Sequence, residues 1–167
     1  MHTYKWQSKY DVGIDAIDIE HRNLLTCINK LIAAQSLDKS IILKLADEVS
    51  LYAEFHFASE ENLMYLTHYP KLTAHSEYHR ILLKQLAAKR RDLEHSTGAL
   101  QDYVNFLVKW FIEHTQTIDR ELAQYLATYE PKPNSPEHII QLLSMGETTS
   151  YVSFQNELRH YNSCHLS

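Results

Sequence analysis

Two short fragments, His56-x-x-x-Glu60 and His75-x-x-x-His79, hold ligand-type side chains four residues apart. Residues at that spacing lie on one face of an α-helix, one turn above the other. Each fragment therefore points a pair of metal-binding groups the same way. The turn His68-Tyr69-Pro70 between them is short enough only for a reversal, so the two helices run antiparallel and side by side. Three imidazoles and a carboxylate then face one another. Imidazole is compatible with iron, zinc or copper, and mixed nitrogen and oxygen donors without thiolate fit non-haem iron well. This is half of a metal site.

The other elements must supply the rest. Residues 1–17 read as an N-terminal arm with Trp6, Tyr10, Val12, Ile14 and Ile17, and with Gly13 as its only flexible point. Helix A is predicted from Asp18, as N-cap, to about Gln35, with Leu24, Leu25, Ile28, Leu31 and Ile32 at helical spacing and His21 on that stripe. Helix B follows from about Ser40 to Leu66. Helix C has Pro70 in its first turn and ends in the basic stretch Lys89-Arg90-Arg91, read as a solvated helix end. Helix D is expected over Ala99 to Tyr129. Three short connections predict an all-α, up-down-up-down antiparallel four-helix bundle over residues 1–130. Residues 131–167 open with Pro131, Pro133 and Pro136 and read as a C-terminal extension, with one short amphipathic helix over Glu137 to Met145.

In such a bundle the start of A, the end of B, the start of C and the end of D share one end. His21, His56, Glu60, His75 and His79 fall there, and so do His114 and Asp119 on helix D. At about 1.5 Å rise per residue, most lie within roughly two turns of one another along the axis. Seven donors exceed one tetrahedral zinc. Bridging carboxylates with terminal imidazoles suit two divalent cations roughly 3.5–4 Å apart. The spacing of five between His114 and Asp119 puts their side chains roughly 140° apart on a regular helix, so helix D must adjust locally. His2, His68, His95, His138, His160 and His165 match no ligand position and read as surface residues.

Composition narrows the function. A chain of 167 residues fits one domain. Its formal charge of −5, without a basic block, argues against a nucleic-acid partner. No apolar run approaches the roughly 20 residues of a membrane span, and the start MHTYKWQSKYDVG carries no apolar segment of a secretion signal. Cys27 and Cys164 are too few for a disulfide framework, so a cytoplasmic protein is expected. Cys164-His165 is a weak candidate for adventitious metal. Three glycines and four prolines leave little room for the turns of a β-fold.

The set His21, His56-x-x-x-Glu60, His75-x-x-x-His79 and His114-x-x-x-x-Asp119 resembles the bacterial hemerythrins. So do Trp6, Tyr10-Asp-Val-Gly-Ile and Ile17-Asp18 of the arm, and Glu60-Glu61-x-Leu63-Met64 followed by Tyr69-Pro70. The resemblance covers about residues 4–128 and includes all seven ligand positions. It implies two iron ions with a bridging oxo or hydroxo group. His75, His79 and His114 would bind one iron and His21 and His56 the other, with Glu60 and Asp119 bridging. The second iron is then one ligand short, and dioxygen would bind there end-on, taking one electron from each iron and a proton from the bridge. Leu24, Phe57, Trp110 and Phe111 occupy positions resembling the family's apolar pocket lining. Thr115 stands where the family often has an apolar residue, so its hydroxyl is a candidate to admit water and hasten autoxidation.

The function expected on this basis is non-enzymatic: reversible dioxygen binding by a carrier, store or sensor. Two alternatives stand beside it. One is an oxygen- or redox-sensing input module that reaches an effector protein through residues 131–167. The other is a di-iron oxidase, or a peroxide- or nitric-oxide-handling enzyme of the ferritin-like kind. Ferritin-like sites are carboxylate-rich with Glu-x-x-His motifs at spacing three, whereas this chain offers five imidazoles to two carboxylates at spacing four.

Overall fold

The computed structural model describes residues 2–96, 99–130, 135, 136 and 138. Apart from His138, the short helix expected over Glu137 to Met145 lies outside the described residues, as does the Cys164-His165 pair. The main elements are α1 (Asp15–Ala33), α2 (Lys39–Leu66), α3 (Leu72–His95), α4 (Ala99–Glu113), a single π-helical turn (His114–Ile118) and α5 (Asp119–Leu126). Each long helix packs on its neighbours in chain order, and α4 closes the square against α1. Cross-helix pairs fix the directions. Glu20 meets His56 while Lys30 meets Glu48, so α1 and α2 are antiparallel. Glu61 meets His79 while Arg90 meets Asp47, so α2 and α3 are too. The chain is thus a four-helix bundle, as its periodicity predicts. No described helix is long and apolar enough to cross a membrane.

Three boundaries differ from expectation, each for a local reason. Helix α1 begins at Asp15, with Ile14 as its extended N-cap residue. Asp18, expected as the cap, sits inside the first turn and is only 4% exposed. Its carboxylate accepts the N–H groups of Val12 (2.7 Å) and Gly13 (3.0 Å). Gly13, at φ +93, turns the arm so that both amides face it. A negative charge there also complements the helix dipole.

Helix α2 stops at Leu66 through a Schellman motif. His68 takes the left-handed φ of 54, Tyr69 N–H reaches Met64 O (2.9 Å) and His68 N–H reaches Tyr65 O (3.2 Å). Met64 and Tyr69 pack in the same apolar cluster. Pro70 therefore lies in the connecting turn, not in the first turn of α3. Helix D is interrupted by the π-turn and ends at Leu126 rather than Tyr129.

The core is in two parts. A large cluster gathers Leu24, Ile28, Leu31, Val49, Phe57, Leu86, Leu107 and Phe111, among others. A small one, of Ile14, Ile17, Leu63, Met64, Tyr69, Leu122 and Leu126, closes the opposite end. A buried polar cluster lies where the two meet: His21 falls between them on α1, His114 and Asp119 on helix D, and on α2 His56 and Glu60 flank Phe57 of the large cluster.

Candidate metal centre

His21, His56, Glu60, His75, His79, His114 and Asp119 are all buried, with exposures of 0–4%. The structure brings all seven together as two overlapping groups. One holds Glu60, His75, His79, His114 and Asp119; the other holds His21, His56, Glu60 and Asp119. Within each group one donor atom per residue lies within 4.8 Å of all the others. The two carboxylates belong to both.

Local structure explains how four helices aim at one point. His56 and Glu60, and His75 and His79, are stacked one turn apart on α2 and α3. The π-turn solves the awkward spacing on helix D. Its i→i+5 pattern, seen in the bond from Asp119 N–H to His114 O, adds one residue to the turn. Asp119 Oδ1 then lies 3.0 Å from His114 Nε2. The local adjustment expected from the sequence is this turn.

The donors are close but not mutually satisfied. His79 Nε2 is 3.1 Å from Glu60 Oε2, and His21 Nε2 is 3.2 Å from Asp119 Oδ2. Yet among the described residues every imidazole Nε2 of the set, and all four carboxylate oxygens of Glu60 and Asp119, lack an aligned hydrogen-bond partner. Buried polar atoms are rarely left so. Nitrogen and oxygen lone pairs converging on common space, without hydrogen bonds among themselves, fit a pair of bound cations. Electrostatics agree. Burial raises the Glu60 carboxyl, but His56 and the neighbouring imidazoles outweigh it and hold the group well below the usual carboxylate range. Asp119 is likewise lowered, by His114, His21 and His75 against burial and the Glu60 charge. Burial pushes His75 down, but Asp119 and Glu60 carry it up to about 9. Both carboxylates are thus kept ionised and ready to ligate.

The predicted pocket residues are all buried, and the aromatic ones stand beside the imidazoles. Phe57 stacks on His79 (3.9 Å between ring centroids) and stands 5.7 Å from His56. Phe111 meets His21 edge-on at 5.9 Å, and Trp110 meets Phe57 at 5.8 Å. Leu24 belongs to the same apolar cluster. The Thr115 hydroxyl donates to Phe111 O at 2.9 Å, one turn back along its own helix.

Sequence reasoning missed the groups behind the imidazoles. Glu20 Oε2 lies 2.9 Å from His56 Nδ1, and Glu61 Oε1 lies 2.9 Å from His79 Nδ1. Tyr78 stacks on His114, 5.6 Å away and nearly parallel. A signal for the two carboxylates was present, since each directly adjoins a predicted ligand, His21 or Glu60. One step along a helix turns a side chain by roughly 100°, toward the neighbouring helix.

Fold and site together define a class: four-helix bundles that bury clusters of histidine, glutamate and aspartate suited to metal. Within it, residues 12–126 match the hemerythrin HHE cation-binding domain, and the chain belongs to that family. It is 30% identical over 125 residues to a bacteriohemerythrin of Stenotrophomonas maltophilia, covering 74% of this chain and 82% of the relative. A bacteriohemerythrin of Clostridium acetobutylicum is 32% identical over 125 residues, covering 71% and 97%. Among solved structures, a hemerythrin variant superposes with a TM-score of 0.67 at 24% identity, covering 74% of this chain and 97% of that one, which supports the fold.

Proposed function

We propose that this chain binds dioxygen reversibly, without turnover, at a di-iron centre. The observation that carries the reading is the pair of overlapping clusters with unequal imidazole counts, three against two, sharing Glu60 and Asp119. His75, His79 and His114 would hold one iron, and His21 and His56 the other, with both carboxylates serving the two. When bound, a ferrous pair supplies the two electrons that dioxygen uptake draws on and returns on release. The imidazole-poor position would be the one left for an outside ligand. Family membership and relatives named bacteriohemerythrin support the same assignment.

The chain's own residues account for the reversibility. Phe57, Phe111, Leu24 and Trp110 keep bulk water and its protons from the ligands, which slows irreversible oxidation. Ionised Glu60 and Asp119 would offset the cationic charge of bound metals.

The bundle of residues 1–130 carries this function by itself, because every proposed ligand and, among the described residues, both apolar clusters precede residue 127. Residues 131–167 are left for contact with an effector protein, as a sensor would need. A cytoplasmic location belongs to the same reading.

The test is the visible absorption of the iron-loaded, reduced protein as air is admitted and then removed. Charge-transfer bands that appear and vanish with oxygen are expected. Bands that bleach once and do not return would replace binding by oxidase or redox-sensor chemistry. Two equivalents of zinc in the native protein, with no bands after iron loading, would remove the di-iron assignment.

A further inference from the structure

The five imidazoles are not held alike. Among the described residues, His21, His75 and His114 have no hydrogen-bond partner at Nδ1, whereas His56 and His79 each meet a carboxylate there. One carboxylate-backed histidine falls in each cluster. An ionised carboxylate only accepts, so Nδ1 carries the proton and the Nε2 lone pair is left facing the centre. Both carboxylates come from a neighbouring helix: Glu20 on α1 backs His56 on α2, and Glu61 on α2 backs His79 on α3.

The two dyads differ in their surroundings. The Glu20 side chain is 13% exposed, and its second oxygen accepts the Ser59 hydroxyl at 2.7 Å. Ser59 lies three residues after His56, so α2 grips both oxygens of one α1 carboxylate. The Glu61 side chain is 39% exposed. A hydrogen bond sealed from water is stronger and more directional than one open to it.

We propose that Glu20 and Glu61 are positioning residues of the centre, one for each metal position, and that Glu20, better shielded from water and braced by Ser59, is the stronger of the two. The inference rests on the two-metal reading given above. Glu20 then fixes the ring orientation and tautomer of a ligand at the imidazole-poor position, where only two histidines share that task. Losing such a partner weakens metal binding by about 10–100-fold.

The full-length chain, stripped of metal and titrated with Co2+, provides the test through the visible absorption of the bound ion. Wild type should take two equivalents. Glu20→Ala should weaken one of them about 10–100-fold and spare the other, and Glu61→Ala should have a smaller effect. Glu20→Gln keeps an acceptor oxygen and should restore most of the affinity. The His56 Nδ1–H resonance of the zinc-loaded protein should persist in Glu20→Gln and be lost in Glu20→Ala. Both equivalents bound as tightly in Glu20→Ala as in wild type would overturn the proposal, and so would a Gln variant as weak as the Ala one. If Glu20→Ala loses its helical circular dichroism, Ser59→Ala decides: the same equivalent weakens several-fold, or the brace is refuted. Wild type taking fewer than two equivalents would instead overturn the two-metal reading beneath.

Discussion

His114 Nε2 stands 3.0 Å from Asp119 Oδ1 although they are spaced five apart in sequence, because one π-helical turn replaces the α-helical one. The turn acts as a one-residue insertion into helix D, absorbed between two ligands. Deleting the exposed Thr117 shortens the spacing to four, which on an ordinary helix again stacks the two side chains. The residues beyond keep their register, including buried Leu122 and Leu126. The deletion variant should therefore fold and bind two metal equivalents. Deleting Glu121 instead leaves Asp119 in place but rotates Leu122 and Leu126 out of their cluster. It should unfold at markedly lower temperature. Circular dichroism melts and metal analysis of the two variants check the contrast.

Local spacing decides what can be read from the sequence. The ligands on α2 and α3 are legible because spacing four maps onto one helix face, whatever the tertiary context. The pair on helix D is legible only as a conflict, since residue types demand one face and the spacing denies it. Asp18 misleads because a residue able to cap a helix can also fold back to a preceding arm, and Gly13 decides between the two through its positive φ. Glu20 and Glu61 escape because their partners lie 36 and 18 residues away, and adjacency to a ligand marks them without saying which imidazole on another helix they meet.

Metal should control stability at one end of the bundle more than the other. The small apolar cluster of Ile14, Ile17, Leu63, Met64, Tyr69, Leu122 and Leu126 stands apart from the main core. A ligand bound to the folded state alone, at a thousand times its dissociation constant, stabilises by about 4 kcal/mol. Chelation should lower Tm by several degrees. It should also speed amide exchange at residues 63–69 and 120–126 well before exchange rises around Leu24, Ile28 and Leu31 of the main core. Uniform exchange along α1 and α2 after chelation would show a single cooperative unit instead.

The pH response should reverse a common expectation. His75 is raised to about 9, against burial, by Asp119 and Glu60. A group whose folded value lies above its unfolded one, about 6.5 for histidine, stabilises fully below the unfolded value and loses that contribution as pH rises through the folded one. The metal-stripped chain should thus lose stability from about pH 6.5 to 9. Metal takes the place of that proton, so loading at neutral pH should release protons. Calorimetry in buffers of different ionisation enthalpy counts them. A metal-stripped Tm that is flat or rising across this range would contradict the assignment.

Thr115 gives a prediction of near silence. Its hydroxyl is committed to Phe111 O and Ile112 O within its own helix. Thr115→Val keeps the shape and removes only that bond. The lifetime of the oxygen-bound form, followed by its visible spectrum, should stay within about twofold, since the lost bond is a local side-chain-to-backbone one. A severalfold change would mean that the hydroxyl turns toward the ligand.

The arm should act as a fixed cover whose hold depends on Asp18. Trp6 and Tyr10 pack edge-on against Phe111 at 6.3 and 5.7 Å, and Phe111 in turn meets His21. Arg22 lies over the Trp6 ring and pairs with Asp11, while Arg120 holds Lys9 O. Those contacts are exposed or half-exposed, so they contribute little singly. The buried carboxylate of Asp18, with two N–H groups of the arm, is the stronger anchor. Asp18→Ala leaves both amides unpaired and should cost about 2–4 kcal/mol in urea unfolding, whereas Asp18→Asn keeps one acceptor and should cost about half. With the anchor gone, Trp6 should become more exposed to quencher and the oxygen-bound form should decay faster, as water reaches Phe111. An Asp18→Ala protein that is destabilised but keeps its Trp6 buried and its oxygen-bound lifetime unchanged would show that the arm stabilises the fold without sealing the centre.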